Sequence, residues 1–100
     1  MWIETTKELS LYIEENSKVI PVFVVFGFRT SNLTKQVITI LENKENNEKY
    51  KYICVDIEDH KDLIETYSIR TSPCVILFKK SVVENVLKMP ITKELMKCLI

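Results

Sequence analysis

Four strand-like and four helix-like segments follow one another along the chain. Residues 19–28 are apolar on both faces of the strand period, which is typical of a strand covered on both sides. Residues 50–57 form a second predicted strand, with alternate apolar positions on one face. Residues 74–78 and 82–87 are two further strands, and their closeness predicts a hairpin through Lys79-Lys80-Ser81.

Each predicted helix follows a capping residue and carries an apolar stripe at helical spacing. The capping residues are Thr5, which opens the capping box Thr5-Thr6-Lys7-Glu8, then Ser31 or Asn32, then Asp59, then Thr92. The stripes are Leu9, Tyr12 and Ile13; Leu33, Val37, Ile40 and Leu41; Leu63, Ile64 and Tyr67; and Leu95, Cys98 and Leu99. The charged residues 43–49 are predicted to be a loop.

The element order α-β-α-β-α-β-β-α defines the expected fold class. A strand-helix-strand unit followed by a strand-strand-helix unit gives a mixed four-stranded sheet with helices on both faces, an α/β architecture. One hundred residues predict a single domain that spans 1–100. The sequence contains no repeat, linker or low-complexity segment.

Composition excludes several classes of function. Fourteen basic residues balance fourteen acidic ones, so no net positive field draws the chain to nucleic acid or to an anionic membrane. The longest apolar run is too short to span a bilayer, and the first residues lack the apolar region of a signal peptide. Three scattered cysteines fit a reducing compartment. We therefore expect a cytoplasmic protein, and the Asn-, Lys- and Ile-rich composition points to a phage or a low-GC bacterium.

Residues 22–41 are predicted to form a buried strand, a polar turn and a helix, and a second segment reads Tyr67-Ser-Ile-Arg-Thr-Ser-Pro73-Cys-Val-Ile-Leu-Phe-Lys79. These two segments resemble the two halves of a thioredoxin active site. The resemblance covers residues 19–100 and is strongest over 55–79. It implies a thioredoxin-like fold without the usual first strand. It also implies that Pro73 is the cis-proline facing the redox helix, and that the Ser72 main chain binds an extended substrate segment.

The residues that carry thioredoxin chemistry are replaced. Ser31-Asn32-Leu33-Thr34 stands where the family has Cys-x-x-Cys, Thr30 replaces the preceding tryptophan, and Val25 aligns with the buried acid. The glycine of the loop before the last helix has no counterpart near Met89-Pro90. Thiol–disulfide exchange needs an attacking thiolate and a second thiol to resolve the mixed disulfide. The sequence therefore predicts a degenerate, redox-inactive site.

We expect a protein- or peptide-binding adaptor module rather than an enzyme, and we expect no cofactor. The sequence does not determine the oligomeric state. An extended strand segment beside a cis-proline offers main-chain donors and acceptors to a peptide. Arg29 and Arg70 either frame this groove for an acidic peptide or are ordinary surface residues. The expected groove consists of Arg29, Thr30, Arg70, Ser72, Pro73 and Cys74.

Cys74 carries the main alternative, a single-thiol protein that performs thiol–disulfide exchange or glutathione-linked chemistry. It follows Pro73, so we expect it near the groove beneath the second helix, where a thiol can have a lowered pKa. The competing interpretation is a buried, inert residue. Cys54 and Cys98 are expected to lie in the core.

Three further possibilities are open. Ser31 could hold a glutathione thiolate or another anion at the helix N-terminus, although an N-cap role explains it fully. The chain could instead be a structural subunit that uses a sheet edge or its first helix as an interface. No metal site is predicted, because His60 lies among helix-start acids and the three cysteines lack paired spacing.

Overall fold

The structure is a computed structural model that describes residues 2–42 and 48–99. It contains α1 (Thr6–Asn16), β1 (Val22–Gly27), α2 (Asn32–Leu41), β2 (Lys51–Asp56), α3 (Lys61–Thr66), β3 (Cys74–Lys79), β4 (Val82–Lys88) and α4 (Lys93–Leu99). This is the predicted order. Residues 43–47 of the predicted loop lie outside the described residues. None of the helices within the described ranges is both long enough and apolar enough to cross a membrane.

The four strands form one mixed sheet in the order β2-β1-β3-β4. β1 pairs in parallel with β2 and antiparallel with β3, and β3 pairs antiparallel with β4. The β3–β4 hairpin turns at Lys80 and Ser81, whose φ angles are 52° and 66°. Positive φ at both central residues is the geometry of a tight two-residue hairpin turn. The predicted fold class is confirmed.

Two apolar clusters cover the two faces of the sheet, and β1 contributes to both. All six residues of β1 are buried, because helices lie on both sides of this central strand. On one face, Val24 and Phe26 pack with residues of α1 and α3; on the other, Phe23 and Val25 pack with residues of α2 and α4. The unbroken apolar run in the sequence therefore reports a strand buried on both faces.

Three of the four helices have an N-terminal residue whose side chain accepts a hydrogen bond from the first turn. The N–H of Glu8 donates to Thr5 Oγ1 over 3.1 Å, and the N–H of Leu95 donates to Thr92 Oγ1 over 3.1 Å. Ser31 caps α2 in the same way. These bonds satisfy N–H groups that the first turn of a helix leaves without an intrahelical partner.

The prediction that Asp59 caps the third helix is wrong. The N-cap position of α3 is His60, whose side chain makes no capping hydrogen bond. The N–H groups of Asp59 and His60 both donate to the carbonyl of Asp56, over 3.1 Å each. This turn uses the residues that the sequence assigned to the cap, so the helix begins one residue later than predicted.

The predicted first strand is too long at both ends. Val19 is 88% exposed, because its N–H donates to the Asn16 carbonyl in the turn that ends α1. Phe28 is 42% exposed and follows the last paired residue, Gly27. Both residues are apolar, but neither is paired with a neighbouring strand of the sheet.

Two predicted helix stripes are shifted. In α2, Leu33 is 45% exposed and Thr34 is buried instead. In α4, the buried residue is Met96, whereas Leu95 and Cys98 are exposed. In both short helices a neighbouring position meets the sheet, since the docking of a short helix, and not its apolar residues alone, fixes which side faces inward.

The N-terminal segment covers part of the free edge of β2. Trp2 forms a parallel bridge with Cys54, and the N–H of Ile3 donates to the Cys54 carbonyl over 2.9 Å. The segment thus pairs with the sheet at one point. This agrees with the expected lack of a full strand at this edge.

Candidate functional site

The two sequence segments that resemble an active site meet at one end of the sheet. The β-sheet register pairs Gly27 with Asp56, Phe26 with Cys74, and Cys74 with Lys88. Paired residues lie side by side, about 5 Å apart. The end of β1, the start of β3 and the end of β4 therefore form one row, and α2 begins directly above it.

The first turn of α2 packs directly on the end of β1. Thr34 is fully buried, and a Cβ atom added to Gly27 would lie 3.0 Å from Thr34 Cγ2 and in closer contact with Thr34 Oγ1. Only a glycine at position 27 leaves room for this side chain. Thr34 Oγ1 is buried and has no hydrogen-bond partner within the described part of the chain.

Two hydroxyl side chains, Ser31 and Thr34, lie at the start of α2. Ser31 is partly exposed, and its Oγ accepts the Thr34 N–H over 3.4 Å. Thr34 lies one turn further in and is buried. Neither hydroxyl is ionisable near neutral pH, so neither supplies the nucleophile that disulfide exchange requires. Ser31 has the geometry of an N-cap.

Ser72 lies beside the start of β3, and its main chain is not part of the sheet. The peptide bond between Ser72 and Pro73 is cis, Pro73 is buried and Ser72 is partly exposed. Within residues 2–42 and 48–99, the N–H and the carbonyl of Ser72 have no backbone hydrogen-bond partner. The ladder between β3 and β4 ends two residues later, at Cys74 and Lys88. A second extended chain can reach these groups.

The Cys74 thiol does not face α2, contrary to the expectation from the sequence. Cys74 is 2% exposed and packs in the cluster that α1 and α3 cover, whereas the next residue, Val75, faces α2. Successive side chains of a strand point to opposite faces. Burial raises the pKa of the Cys74 thiol, and the nearby Lys88 ammonium partly opposes this effect.

The other two cysteines differ from each other in environment. Cys54 is fully buried in β2, and burial raises the pKa of its thiol to about 11. Cys98 is exposed on α4, so the prediction that it lies in the core is wrong. All three thiols are free, and neither buried thiol has the lowered pKa of a reactive cysteine.

The two arginines of the predicted groove have different surroundings. The side chain of Arg29 is 53% exposed, its Nε lies 3.7 Å from Asp56 Oδ2, and its guanidinium lies 4.8 Å from the centre of the Trp2 ring. Arg29 is thus turned toward the β2 edge. Arg70 is exposed and forms no ion pair within the described residues. Thr30 is exposed in the turn before α2.

The residues expected not to form a metal site are not grouped with other ligands in the described part of the chain. The described residues contain no group of three or more His, Cys, Asp or Glu side chains that could hold a metal ion. His60 is 8% exposed at the start of α3. Asp62 Oδ2 accepts a hydrogen bond from Thr6 Oγ1 over 3.2 Å, which ties α3 to α1.

Sequence reasoning missed two residues at this end of the sheet, Lys88 and Met89. Lys88 is exposed opposite Cys74, and one further step of the same register brings Met89, which is 38% exposed, toward Pro73. Nothing local in the sequence marks these residues. Only the pairing of β3 with β4 brings them to the groove.

Sequence reasoning also missed a concavity of about 420 Å³ at the opposite end of β2, near its first residues. The tyrosines there are held in place: Tyr52 Oη donates to Glu42 Oε1 over 2.8 Å, and Tyr50 Oη donates to the Leu41 carbonyl over 2.6 Å. The concavity is lined by Tyr12, Leu41, Glu42, Tyr50, Lys51 and Tyr52. A clustering of tyrosines around residue 51 is the only signal for it in the sequence.

Comparison with solved structures identifies the fold. A mutant thioredoxin from Halobacterium salinarum has a TM-score of 0.86 and 15% identity, with 99% of this chain and 85% of that chain covered. The oxidised thioredoxin of Plasmodium falciparum has a TM-score of 0.80 and 19% identity, covering 98% and 91%. A thioredoxin from Nicotiana alata has a TM-score of 0.81 and 13% identity, covering 99% and 88%.

These similarities show that the chain has the thioredoxin fold. They extend over nearly its whole length, including the α2 and β3 segments that meet at the candidate site. Sequence similarity is much weaker: no protein-family model matches the chain, and no curated protein does either. At identities below 20% the fold is shared but the chemistry is not thereby transferred.

Proposed function

We propose that this protein binds an extended peptide segment at Ser72 and acts as an adaptor without dithiol chemistry. The observation that carries the proposal is the free main chain of Ser72. Its N–H and carbonyl have no backbone partner within the described residues, and the residue is partly exposed at the end of the sheet. An added strand gains its affinity from such groups and its specificity from the side chains around them.

The residues at the cysteine positions support a binding role over catalysis. Ser31 caps α2, and Thr34 fills the space above Gly27, so both side chains have structural tasks. A main-chain interaction with a peptide needs neither a thiolate nor a resolving thiol. Loss of the dithiol therefore leaves this part of the groove able to bind.

The surroundings of Cys74 count against the single-thiol alternative. Its thiol is buried on the face away from α2, and burial raises its pKa. A thiol of this kind is poorly ionised at neutral pH and is screened from a bulky disulfide substrate. The adaptor proposal uses the groove without the Cys74 thiol.

The test begins with a peptide selected from a random 12-residue phage library on the immobilised protein. We expect the amide resonance of Ser72 to shift when the selected peptide is added to the ¹⁵N-labelled protein. Ser72→Ala keeps the main-chain N–H and retains binding, whereas Ser72→Pro removes the N–H and weakens binding. Circular dichroism establishes that each variant is folded. Shifts confined to another surface, with Ser72 unchanged, would overturn the proposal.

A further inference from the structure

Two cations at the edge of the groove, here called its rim, form no ion pair within the described residues. Arg70 lies two residues before Ser72. Lys88 pairs in the sheet with Cys74, which lies two residues after Ser72. Both side chains belong to exposed residues, and neither forms an ion pair within residues 2–42 and 48–99. One extended residue spans about 3.3 Å and neighbouring strands lie about 4.8 Å apart, so the Cα atom of Arg70 lies within about 7 Å of Ser72 and that of Lys88 within about 9 Å.

The nearby acids do not neutralise this rim. Asp56, the acid in the same row of the sheet, is paired with Arg29, and its Oδ1 accepts the Glu58 N–H over 3.1 Å. Glu58 and Asp59 are exposed beyond the end of β2, which is two strands away from β3. Neighbouring strands are about 4.8 Å apart, so these carboxylates are on the order of 10 Å from the start of β3.

The helix above the groove adds to the same sign of charge. The first turn of α2 contains no acidic residue. The N-terminus of a helix carries a partial positive charge, which acidic side chains in the first turn commonly offset. In α2 that charge has no such counterpart, so it reinforces the two side-chain cations.

Exposed apolar side chains complete the rim. Leu33, in the first turn of α2, is 45% exposed, and Met89, beside Pro73 in the register, is 38% exposed. A bound strand presents alternate side chains to opposite sides, so apolar residues at alternate positions can contact Leu33 and Met89.

We infer that the occupant of the groove is an acidic extended peptide in which acidic residues alternate with apolar ones. The inference rests on the proposed function. It adds the chemistry of the partner, through complementarity to Arg70 and Lys88. Such complementarity supplies specificity and faster association more than raw affinity. The acidic side chains pair with these two cations, and the apolar side chains lie against Leu33 and Met89.

The test uses three fluorescein-labelled ten-residue peptides that alternate valine with glutamate, with glutamine or with lysine. Fluorescence anisotropy at low salt is expected to give the tightest binding for the glutamate peptide. Two exposed ion pairs predict a preference of roughly three- to tenfold over the glutamine peptide. The preference shrinks in about 1 M salt, where the screening length falls to about 3 Å.

Charge-reversal variants locate the effect. Arg70→Glu and Lys88→Glu are expected to abolish the preference for glutamate. Lys18→Glu is the matched control, because it makes the same change in net charge at an exposed turn at the other end of the sheet. An equal loss in all three variants would mean that overall charge, and not the rim, sets the preference, and would overturn the inference.

The outcomes separate this inference from the proposed function. Equal affinities for the three peptides, with the Ser72 amide still shifted, would overturn the acidic preference and leave peptide binding intact. Failure of every peptide, including the library-selected one, to shift Ser72 would overturn both.

Discussion

Substitution of Gly27 by alanine tests the packing that places α2 above the end of β1. Gly27 has no positive φ, so alanine suits its backbone, and by itself the change would gain about 0.5–1 kcal/mol in a strand. The added methyl, however, meets Thr34, with Cγ2 at 3.0 Å and Cβ at 3.2 Å. Overpacking of a filled core costs about 1–3 kcal/mol. We therefore expect Gly27→Ala to lower the free energy of unfolding by about 1–2 kcal/mol.

A double-mutant cycle assigns this loss to Thr34. Thr34→Ala removes the Cγ2 methyl and the hydroxyl and leaves only the Cβ contact at 3.2 Å, so Gly27→Ala in that background is expected to be close to neutral. The coupling between the two substitutions should then be about 1–2 kcal/mol. Urea unfolding followed by circular dichroism measures all four proteins. A Gly27→Ala cost that is the same in both backgrounds would refute the proposed contact.

Three further outcomes follow from caps and thiols. Thr5→Ala should lower the free energy of unfolding by about 1 kcal/mol in urea unfolding, while Thr5→Ser, which keeps the capping oxygen, should not. Native-state alkylation, mapped by mass spectrometry, should label Cys98 quickly, with Cys54 and Cys74 reacting only on unfolding. The raised pKa of Cys54 favours its neutral thiol in the folded state, so stability is full below its ordinary pKa and falls as pH rises toward 11. Urea midpoints at about pH 8 and about pH 10.5 should therefore differ more for the natural protein than for Cys54→Ala.

Much of the architecture could be predicted because burial leaves a clear pattern in sequence. The unbroken apolar run of β1 reports a strand with helices on both faces, and this strand is central to the sheet. The cap at Thr5 was predictable for a local reason, since the hydroxyl and the N–H that it accepts are only three residues apart. The hairpin at Lys80 and Ser81 was predictable from the short connection between two strands.

The errors arose where tertiary contacts decide. Thr34 rather than Leu33 faces inward, because Gly27 at the end of β1 leaves space for its side chain. The same limit applies to Cys98, since docking of the short α4 buries Met96 instead. Helical spacing alone does not determine which of two neighbouring positions meets the sheet.

The candidate site was predictable in part. The resemblance pointed to Ser72 and Pro73, but the free main-chain groups of Ser72 depend on where the β3–β4 ladder ends. The position of Lys88 depends on the register of that ladder. The direction of Cys74 follows from strand alternation, once the face of β3 that α2 covers is known.

The central claim is that the groove binds a peptide through its main chain and without a thiol. Calorimetric affinities of the library-selected peptide for Cys74→Ala and Ser72→Pro test this claim most directly. We expect Cys74→Ala to bind within about twofold of the natural protein and Ser72→Pro to bind at least about tenfold more weakly. Loss of binding in Cys74→Ala, with Ser72→Pro unaffected, would contradict the account and make the thiol the functional group.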